Sequence, residues 1–442
     1  TQPLGEGSVP VTVTEQGPNS GIFGTYDESD KSVLKITSIA ARGTSATIDY
    51  NETPVTILVG FNFATIDIQP TDAEWTSGEE IPVVLVDSDA NRNSRADEDL
   101  DLNNVDTALI PALQTGDPYT LAEAGLATNA TRAVWINATS FNGTATNPSS
   151  VLYYDTVGFS HTNATATLQP EKFSERSILN TTASQSVAVN ALIIDLGTDI
   201  DELRKTIRDP TASAGTFHGF NFLNLDVRSL NATGTYDVYL LNTTGTNIIN
   251  PTTGWIANQS GTQVIGTLLI ADNVNPQSLT LLNGTGATNT NLFETTNTAT
   301  TNRIGLMIVS SAQFGQDHGA FPDTFDAIAV DFLSFGYIED GFEDNQRIAN
   351  QIIRIEAEET GDNTSTFAGS LEFIMINQIN ILDRNTYLNL SLIANDATFI
   401  VIEDLDDEES PRVNYNDLGA DGVTTQVADQ QAAGSHSGVV SF

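Results

Sequence analysis

The sequence predicts an all-β protein made of sandwich domains, and three observations lead to that class. Short runs such as VTVTE and SATIDY alternate apolar and polar residues with the period of two that a half-buried strand requires. Turn-forming residues, as in GPNSG, separate these runs. Heptads and long amphipathic helical periods are absent from the sequence.

The centre of the chain contains apolar runs long enough for the strands of a second sandwich. The segment Thr198–Pro210 between two of these runs is the best helix candidate, because Thr198 can cap it and Pro210 can stop it. A two-sheet arrangement with one crossing helix is similar to carbohydrate-binding jelly rolls. The expected strands are Ser186–Leu196, Gly219–Leu230, Tyr236–Asn242, Gln263–Ile270, Ser278–Asn283, Arg303–Ser311 and Ala327–Tyr337.

Two parts of the chain repeat each other. Glu15–Phe23 aligns without gaps with Glu359–Phe367, and Ile48–Asn51 matches Val413–Asn416 in the same order. The spacing between the two blocks is longer in the second copy, and its extra length includes the acidic run Glu403–Ser410. An ordered pair of matches indicates an internal repeat and tandem domains.

The repeat predicts how the chain divides into domains. The strand and acidic loop at 81–102 belong before Glu359, so we expect one domain to be split by a long insertion in a loop. The interpretation is the C-terminal part of a sandwich at 1–64, a split sandwich at 65–104 plus 345–433, an inserted jelly-roll-like sandwich at 105–344, and the first strand of a following domain at 434–442.

Composition excludes several kinds of function. The 442 residues contain 57 acids and 17 bases, a net charge of −40. Such a surface repels nucleic acid and attracts cations. The chain has no cysteine, so disulfides and thiolate metal sites are excluded. We also expect no membrane span in this segment, because it contains no long apolar run.

The stretch Ile81–Leu102 is the strongest candidate site. The run IPVVLV predicts a buried strand with apolar side chains on both faces, and oxygen-bearing side chains follow at mostly alternate positions. Calcium takes six to eight oxygen ligands. The spacing resembles an EF-hand loop, but Arg92 replaces the turn glycine, and a solvated acidic turn is the alternative. The candidate ligands are Asp87, Asp89, Asn91, Asn93, Asp97, Glu98, Asp99 and Asp101.

Two further acidic runs are weaker cation candidates, for which a solvated charge run is the favoured interpretation. The first contains Asp404, Asp406, Asp407, Glu408 and Glu409, and the second contains Glu339, Asp340, Glu343 and Asp344.

The histidines, acids and aromatic residues bear on catalysis and sugar binding. The four histidines are far apart and lie in no triad or metalloprotease motif, so we expect no enzyme. A polysaccharide-degrading enzyme with a pair of catalytic carboxylates stays an alternative, because acids are so frequent in this sequence that their positions do not indicate a site. The aromatic residues are expected in the core rather than on a sugar platform. They are Trp75, Trp135, Trp255, Phe217, Phe220 and Phe222.

Asn-x-Ser/Thr acceptor triplets are numerous and favour a glycosylated exterior protein. They occur at Asn51, Asn129, Asn137, Asn142, Asn163, Asn180, Asn231, Asn242, Asn258, Asn283, Asn363 and Asn389.

The segments TVTEQGPNSGIF, TIDYN, EEIPVVLVDSDANRN and HSGVVSF together resemble the tandem immunoglobulin-like domains of surface-layer (S-layer) proteins from ammonia-oxidising archaea. The resemblance covers the two partial repeats and does not extend to the insertion. It implies tandem immunoglobulin-like β-sandwiches, one of them interrupted by the inserted sandwich. The matching calcium positions are Asp87, Asp89, Asn91 and Asn93.

The resemblance also implies an extracellular structural protein that assembles with itself into a calcium-stabilised, two-dimensional lattice. A sheet of this acidity is expected to concentrate small cations such as ammonium. The alternative is a surface adhesin or filament subunit that binds glycans through the inserted sandwich.

Overall fold

The computed structural model describes a little over half of the chain. The residues it describes are 10–24, 45–58, 60–92, 96–107, 109–121, 133–136, 140–142, 151–154, 165–171, 174–181, 190–199, 203, 219–230, 234–243, 248–249, 263–283, 303–311, 325–338, 346–377, 379–381, 383–402, 410–418 and 423–432.

Most of the described residues form β-strands and only a few are helical, so the predicted all-β class is confirmed. The strands are β1 Thr14–Glu15, β2 Phe23–Gly24, β3 Ser45–Tyr50, β4 Thr53–Leu58, β5 Thr65–Ile68, β6 Glu79–Val86, β7 Ala112–Thr115, β8 Tyr119–Thr120, β9 Ala133–Ile136, β10 Ser140–Asn142, β11 Val151–Tyr154, β12 Thr165–Glu171, β13 Arg176–Thr181, β14 Ala191–Asp199, β15 Gly219–Asp226, β16 Tyr236–Thr243, β17 Gln263–Val274, β18 Gln277–Asn283, β19 Arg303–Ser310, β20 Phe325–Ile338, β21 Gln346–Ile355, β22 Glu358–Glu359, β23 Thr366–Ile376, β24 Ile393–Ala394, β25 Asp396–Ile402, β26 Arg412–Leu418 and β27 Thr424–Gln430. The helix α1 spans Asn385–Leu388.

The described residues of the first repeat form two hairpins. β1 pairs with β2 around the turn that the sequence predicts at GPNSG, and β3 pairs with β4. The turn residue Asn19 has a φ of 59° and Gly21 a φ of 66°, both in the left-handed region. Their counterparts in the second repeat, Asn363 and Ser365, have φ values of 62° and 55°. The two repeats therefore form the same turn.

The second repeat is a sandwich whose strands come from distant parts of the chain. In its first sheet β6 pairs antiparallel with both β5 and β23, and β23 pairs in parallel with β25. The facing strands are β7, β21, β24, β26 and β27. Ile81, Val83 and Leu85 of β6 are buried against Ile353 and Val413 of the opposite layer. This core brings the end of β6 close to β26.

The strand β6 has one apolar face rather than two. Its inner residues Ile81, Val83 and Leu85 are buried, while Val84 is half-buried and Val86 is exposed. The prediction that both faces would be buried is wrong for the outer face, because only one layer of the described residues packs on this sheet.

The central strands form a second layered body, called the central body below. The predicted runs are strands, and β14, β16 and β19 lie side by side in one sheet, facing β15 and β20 across a continuous apolar core. The predicted helix is wrong at its start, because Thr198 lies in β14. Asp199 ends the same strand, and of residues 200–210 the structure describes only Leu203, which is helical and fully buried.

The sheet of β15 and β20 packs on both sides. Leu223 and Leu225 face the core of the central body. Phe220 and Phe222 point to the other side, where they contact Tyr387 of α1 with ring centroids 5.0 and 6.1 Å apart. This aromatic contact joins the central body to the second repeat.

Arginines strengthen the same junction. Arg354 of β21 has no exposed surface and pairs with Asp331 of β20 through contacts of 2.6 and 2.8 Å. Burial alone would lower the pKa of Arg354, but the charge of Asp331 outweighs it and the net shift is upward. Arg228 pairs with both Asp226 and Glu356, which links the central body to the second repeat.

Arg176 holds the end of the acidic loop. Its buried guanidinium, at the start of β13, donates hydrogen bonds to the backbone carbonyls of Leu102, Asn104 and Thr107. Glu356 accepts a hydrogen bond of 2.9 Å from the backbone N–H of Leu102. The loop that begins at β6 is therefore anchored at its far end by the central body.

Among the described residues, no helix has the length and apolar character needed to cross a lipid bilayer.

Candidate cation site

Three carboxylates converge where β6 ends. Asp87 follows β6 directly, Asp89 lies two residues further along, and Asp417 extends from β26. Each offers a carboxylate oxygen, and these oxygens all lie within 4.8 Å of one another. Asp87 and Asp417 are 2% and 0% exposed, and Asp89 is half-buried. Oxygens that share one calcium ion at about 2.3–2.6 Å are separated by such distances.

Strand alternation places these carboxylates on the inner faces of the sandwich. Ile81, Val83 and Leu85 point into the core along β6, and the next inward position is Asp87. Val413 and Tyr415 point inward along β26, and the next inward position is Asp417. Both apolar faces thus end in a buried carboxylate at the same end of the sandwich.

Hydrogen bonds orient the three side chains. The Tyr415 hydroxyl donates to Asp87 Oδ2 at 2.6 Å, and the backbone N–H of Asp89 donates to Asp87 Oδ1 at 2.8 Å. The N–H of Asn62 donates to Asp89 Oδ2 at 2.7 Å. The N–H of Ala64 donates to Asp417 Oδ2 at 3.0 Å. Each carboxylate of the cluster is therefore held by at least one neutral donor.

Tyr415 remains protonated in this setting. Burial, followed by the neighbouring charge of Asp87, raises the pKa of the Tyr415 hydroxyl far above its usual value of 10. Its proton therefore stays available for the hydrogen bond to Asp87. The site has a neutral donor on one side and three carboxylates around a common centre.

Asn91 and Glu98 lie at a neighbouring carboxylate instead. The Asn91 side-chain amide donates to Glu359 Oε1 at 3.0 Å, and the Glu98 backbone N–H donates to Glu359 Oε2 at 3.4 Å. The N–H groups of Thr364 and Ser365 each donate to Glu359 Oε1 at 2.7 Å. Glu359 therefore holds the loop against the β22–β23 turn.

The remaining described acids of the loop form a third group. Asp99 pairs with Glu358 as an isolated antiparallel bridge, which runs the loop alongside β22. Partial burial, followed by the charges of Asp101, Glu358 and Asp97, raises the pKa of Asp99. Mutual repulsion of this kind is relieved by a bound cation.

Several candidate ligands lie outside the described residues. They are Asn93, Asp404, Asp406, Asp407, Glu408, Glu409, Glu339, Asp340, Glu343 and Asp344. The four histidines, His161, His218, His318 and His436, also lie outside them.

The acceptor asparagines occupy different settings. Asn51, Asn363 and Asn389 are exposed, the first two in turns with positive φ. Asn180 is half-buried in β13. Asn142 and Asn283 end strands, and Asn242 lies in β16 between two paired strands. The acceptors outside the described residues are Asn129, Asn137, Asn163, Asn231 and Asn258.

The described aromatic candidates belong to the core, as predicted. Trp75, Trp135, Phe220 and Phe222 are at most 2% exposed. Trp255 and Phe217 lie outside the described residues. The four buried rings are therefore not available as a sugar platform.

Asp417 is the functional candidate that the sequence interpretation missed. It lies two positions after Tyr415, directly after the repeat segment VNYN. A carboxylate that continues the inward alternation of Val413 and Tyr415 is the signal that would have found it. Its partners Asp87 and Asp89 are far away in sequence, so local spacing does not reveal the cluster.

No protein-family model and no curated protein matches the chain.

Proposed function

We propose that this chain is a structural protein of the cell surface, of the S-layer type, in which calcium stiffens tandem immunoglobulin-like sandwiches that assemble into a two-dimensional lattice. The observation that carries the proposal is the convergence of Asp87, Asp89 and Asp417 at the end of β6. Three carboxylates supply three to six oxygens, and backbone carbonyls and water can supply the remainder.

A cation at this position stabilises the fold because it connects the two layers of the second repeat. Asp87 and Asp89 follow β6 in one sheet, whereas Asp417 belongs to β26 in the other. Three clustered negative charges repel one another without a counter-charge. Binding to the folded state alone contributes about 2.7 kcal/mol when the free cation is at 100 times its Kd.

The acidic loop extends this effect to the central body. It starts at the carboxylate cluster, runs along β22, and ends at the carbonyls that Arg176 holds. A cation that fixes the start of the loop therefore also restrains the junction between the two bodies. A stiff multidomain unit is what a lattice subunit requires.

Acidity and sugars complete the proposed surface. A porous sheet with a net charge of −40 per chain concentrates small cations such as ammonium and excludes anions. Glycans are assigned first to the exposed acceptors Asn51, Asn363 and Asn389. The proposal gives the chain an extracellular location and no catalytic role. The adhesin alternative receives no support from the four described aromatic candidates, Trp75, Trp135, Phe220 and Phe222, because these are buried.

Imaging of the purified protein tests the proposal. Negative-stain micrographs are recorded in calcium, in a chelator, and after calcium is restored. We expect ordered sheets in calcium that dissolve in chelator and re-form. Sheets that are unchanged by the chelator would contradict the cation dependence, and particles that never order in calcium would contradict the lattice.

A further inference from the structure

The two repeats have the same turn but different surroundings. In the first repeat the Glu15 carboxylate accepts a hydrogen bond of 3.0 Å from the N–H of Gly21. In the second, Glu359 accepts one of 2.7 Å from the N–H of Ser365, the matching position. Since the local backbones agree, matching side chains can be compared directly.

The apolar side chains of the first repeat are exposed where their counterparts are buried. Phe23 is 59% exposed and its counterpart Phe367 is 0% exposed. Tyr50 is 81% exposed and its counterpart Tyr415 is 1% exposed. The other matched pairs are Val11 at 41% with Ile355 at 0%, Val13 at 43% with Ala357 at 2%, and Ile48 at 36% with Val413 at 0%.

The second repeat shows what covers this face. Phe367 pairs directly with Leu85 of β6, and Tyr415 donates its hydroxyl to Asp87 just after β6. Glu359 accepts from the Asn91 amide in the following loop. The cover in all three cases is the same element, a strand with alternating aliphatic residues that leads into an Asp-x-Asp-x-Asn loop.

The chain's own β6 is already occupied in the second repeat. It pairs with β5 on one edge and with β23 on the other. A strand on the first repeat must therefore be a different polypeptide segment.

We propose that the exposed face of β1–β4 binds a β-strand segment of the β6 type, with inward aliphatic side chains and a carboxylate directly after the strand. In the docked state the aliphatic side chains cover Phe23 and Ile48, and the carboxylate accepts a hydrogen bond from the Tyr50 hydroxyl. This interaction adds a strand-docking surface to the protein, and it does not require a bound cation.

The test uses the full chain and a labelled synthetic peptide with the sequence of Glu79–Asn93. Fluorescence anisotropy measures binding in calcium and in chelator, and hydrogen–deuterium exchange locates the protected residues. We expect saturable one-to-one binding in both buffers, with protection in 10–24 and 45–58. A peptide with V83D and L85D serves as the control and is expected not to bind.

Variants of exposed residues identify the face. Phe23→Asp is expected to weaken peptide binding by about 10- to 100-fold, the loss that corresponds to one unburied phenylalanine. Tyr50→Phe removes the hydroxyl that donates to the peptide's Asp87, so it is expected to weaken binding of the native peptide. A second peptide with D87N lacks this carboxylate, and its binding should not be weakened by Tyr50→Phe. Ile379→Asp is the matched control, since Ile379 is 91% exposed and belongs to no matched pair.

Several results would overturn the proposal. These are no saturable binding, equal binding of the control peptide, or protection confined to 358–402, which would mean exchange into the second repeat. Self-association of the protein alone that Phe23→Asp abolishes would assign the face to a second copy. A stability loss in Phe23→Asp without peptide would show that the chain's own residues already cover the face.

Discussion

The buried pair of Arg354 and Asp331 makes a quantitative prediction about the junction. Both side chains have no exposed surface, and two hydrogen bonds of 2.6 and 2.8 Å join them. Asp331→Leu leaves a buried guanidinium without its counter-charge. Removal of one partner of a buried pair costs about 3–5 kcal/mol.

The double variant Arg354→Met/Asp331→Leu separates charge pairing from packing. Both charges are then absent, and the remaining penalties are two lost hydrogen bonds, from the Asn224 amide to Asp331 Oδ2 at 3.1 Å and from Arg354 Nε to the Glu175 carbonyl at 3.1 Å. An orphaned buried donor costs about 1–3 kcal/mol. We therefore expect the double variant to be more stable than Asp331→Leu alone.

Urea denaturation followed by tryptophan fluorescence and circular dichroism measures the free energy of unfolding. The four proteins compared in this double-mutant cycle are the wild type, Asp331→Leu, Arg354→Met and the double variant. A loss below about 1 kcal/mol in Asp331→Leu, well under the cost of an unpaired buried charge, would refute the reasoning. Additive losses in the double variant would refute it too, because they would show that the two side chains do not interact.

Three other predictions follow from local geometry. Gly305→Ala places a Cβ 2.6 Å from the backbone oxygen of Ile194 and should destabilise the protein by about 1–3 kcal/mol in thermal unfolding, whereas Gly60→Ala, with nothing within 4 Å, should not. Burial raises the pKa of Asp429, but hydrogen bonds from Ile68 and from its own neighbours outweigh it, so the net pKa lies below 3.8. Asp429 therefore contributes stability above pH 3.8 that is lost as the pH falls through its folded pKa. In pH-dependent denaturation, the stability difference between the wild type and Asp429→Asn should shrink over that range. A constant difference would contradict this. Peptide mapping by mass spectrometry should find glycans at exposed acceptors and none at Asn242 inside β16, and the exposed acceptors are Asn51, Asn363 and Asn389.

Strands and the repeated turn could be predicted from the sequence because their signals are local. The short apolar run IPVVLV marks β6, and the residues GPNSG mark the turn between β1 and β2. The prediction of a buried outer face on β6 was wrong because apolar content alone does not show how many layers pack on a sheet. The helix start at Thr198 was wrong because strand pairing with β19 overrides a favourable capping residue.

The candidate site could be predicted only in part. Asp87 and Asp89 belong to one loop and were found by their spacing, whereas Asp417 reaches them only because β26 packs opposite β6. The side chains of the loop lie in three separate groups, around Asp87, Glu359 and Asp99. This arrangement depends on the pairing of the loop with β22, a strand far away in sequence. Such contacts arise from the tertiary fold, and short-range patterns do not contain them.

Calorimetric titration of calcium into chelator-treated protein tests the central claim most directly. We expect one site to lose affinity strongly in Asp417→Asn, because this variant removes a buried carboxylate charge from the cluster while it preserves the shape of the side chain. The exposed Asp383→Asn serves as the control and should bind as the wild type does. Calcium binding that is unchanged in Asp417→Asn, or no binding to the wild type, would contradict the account.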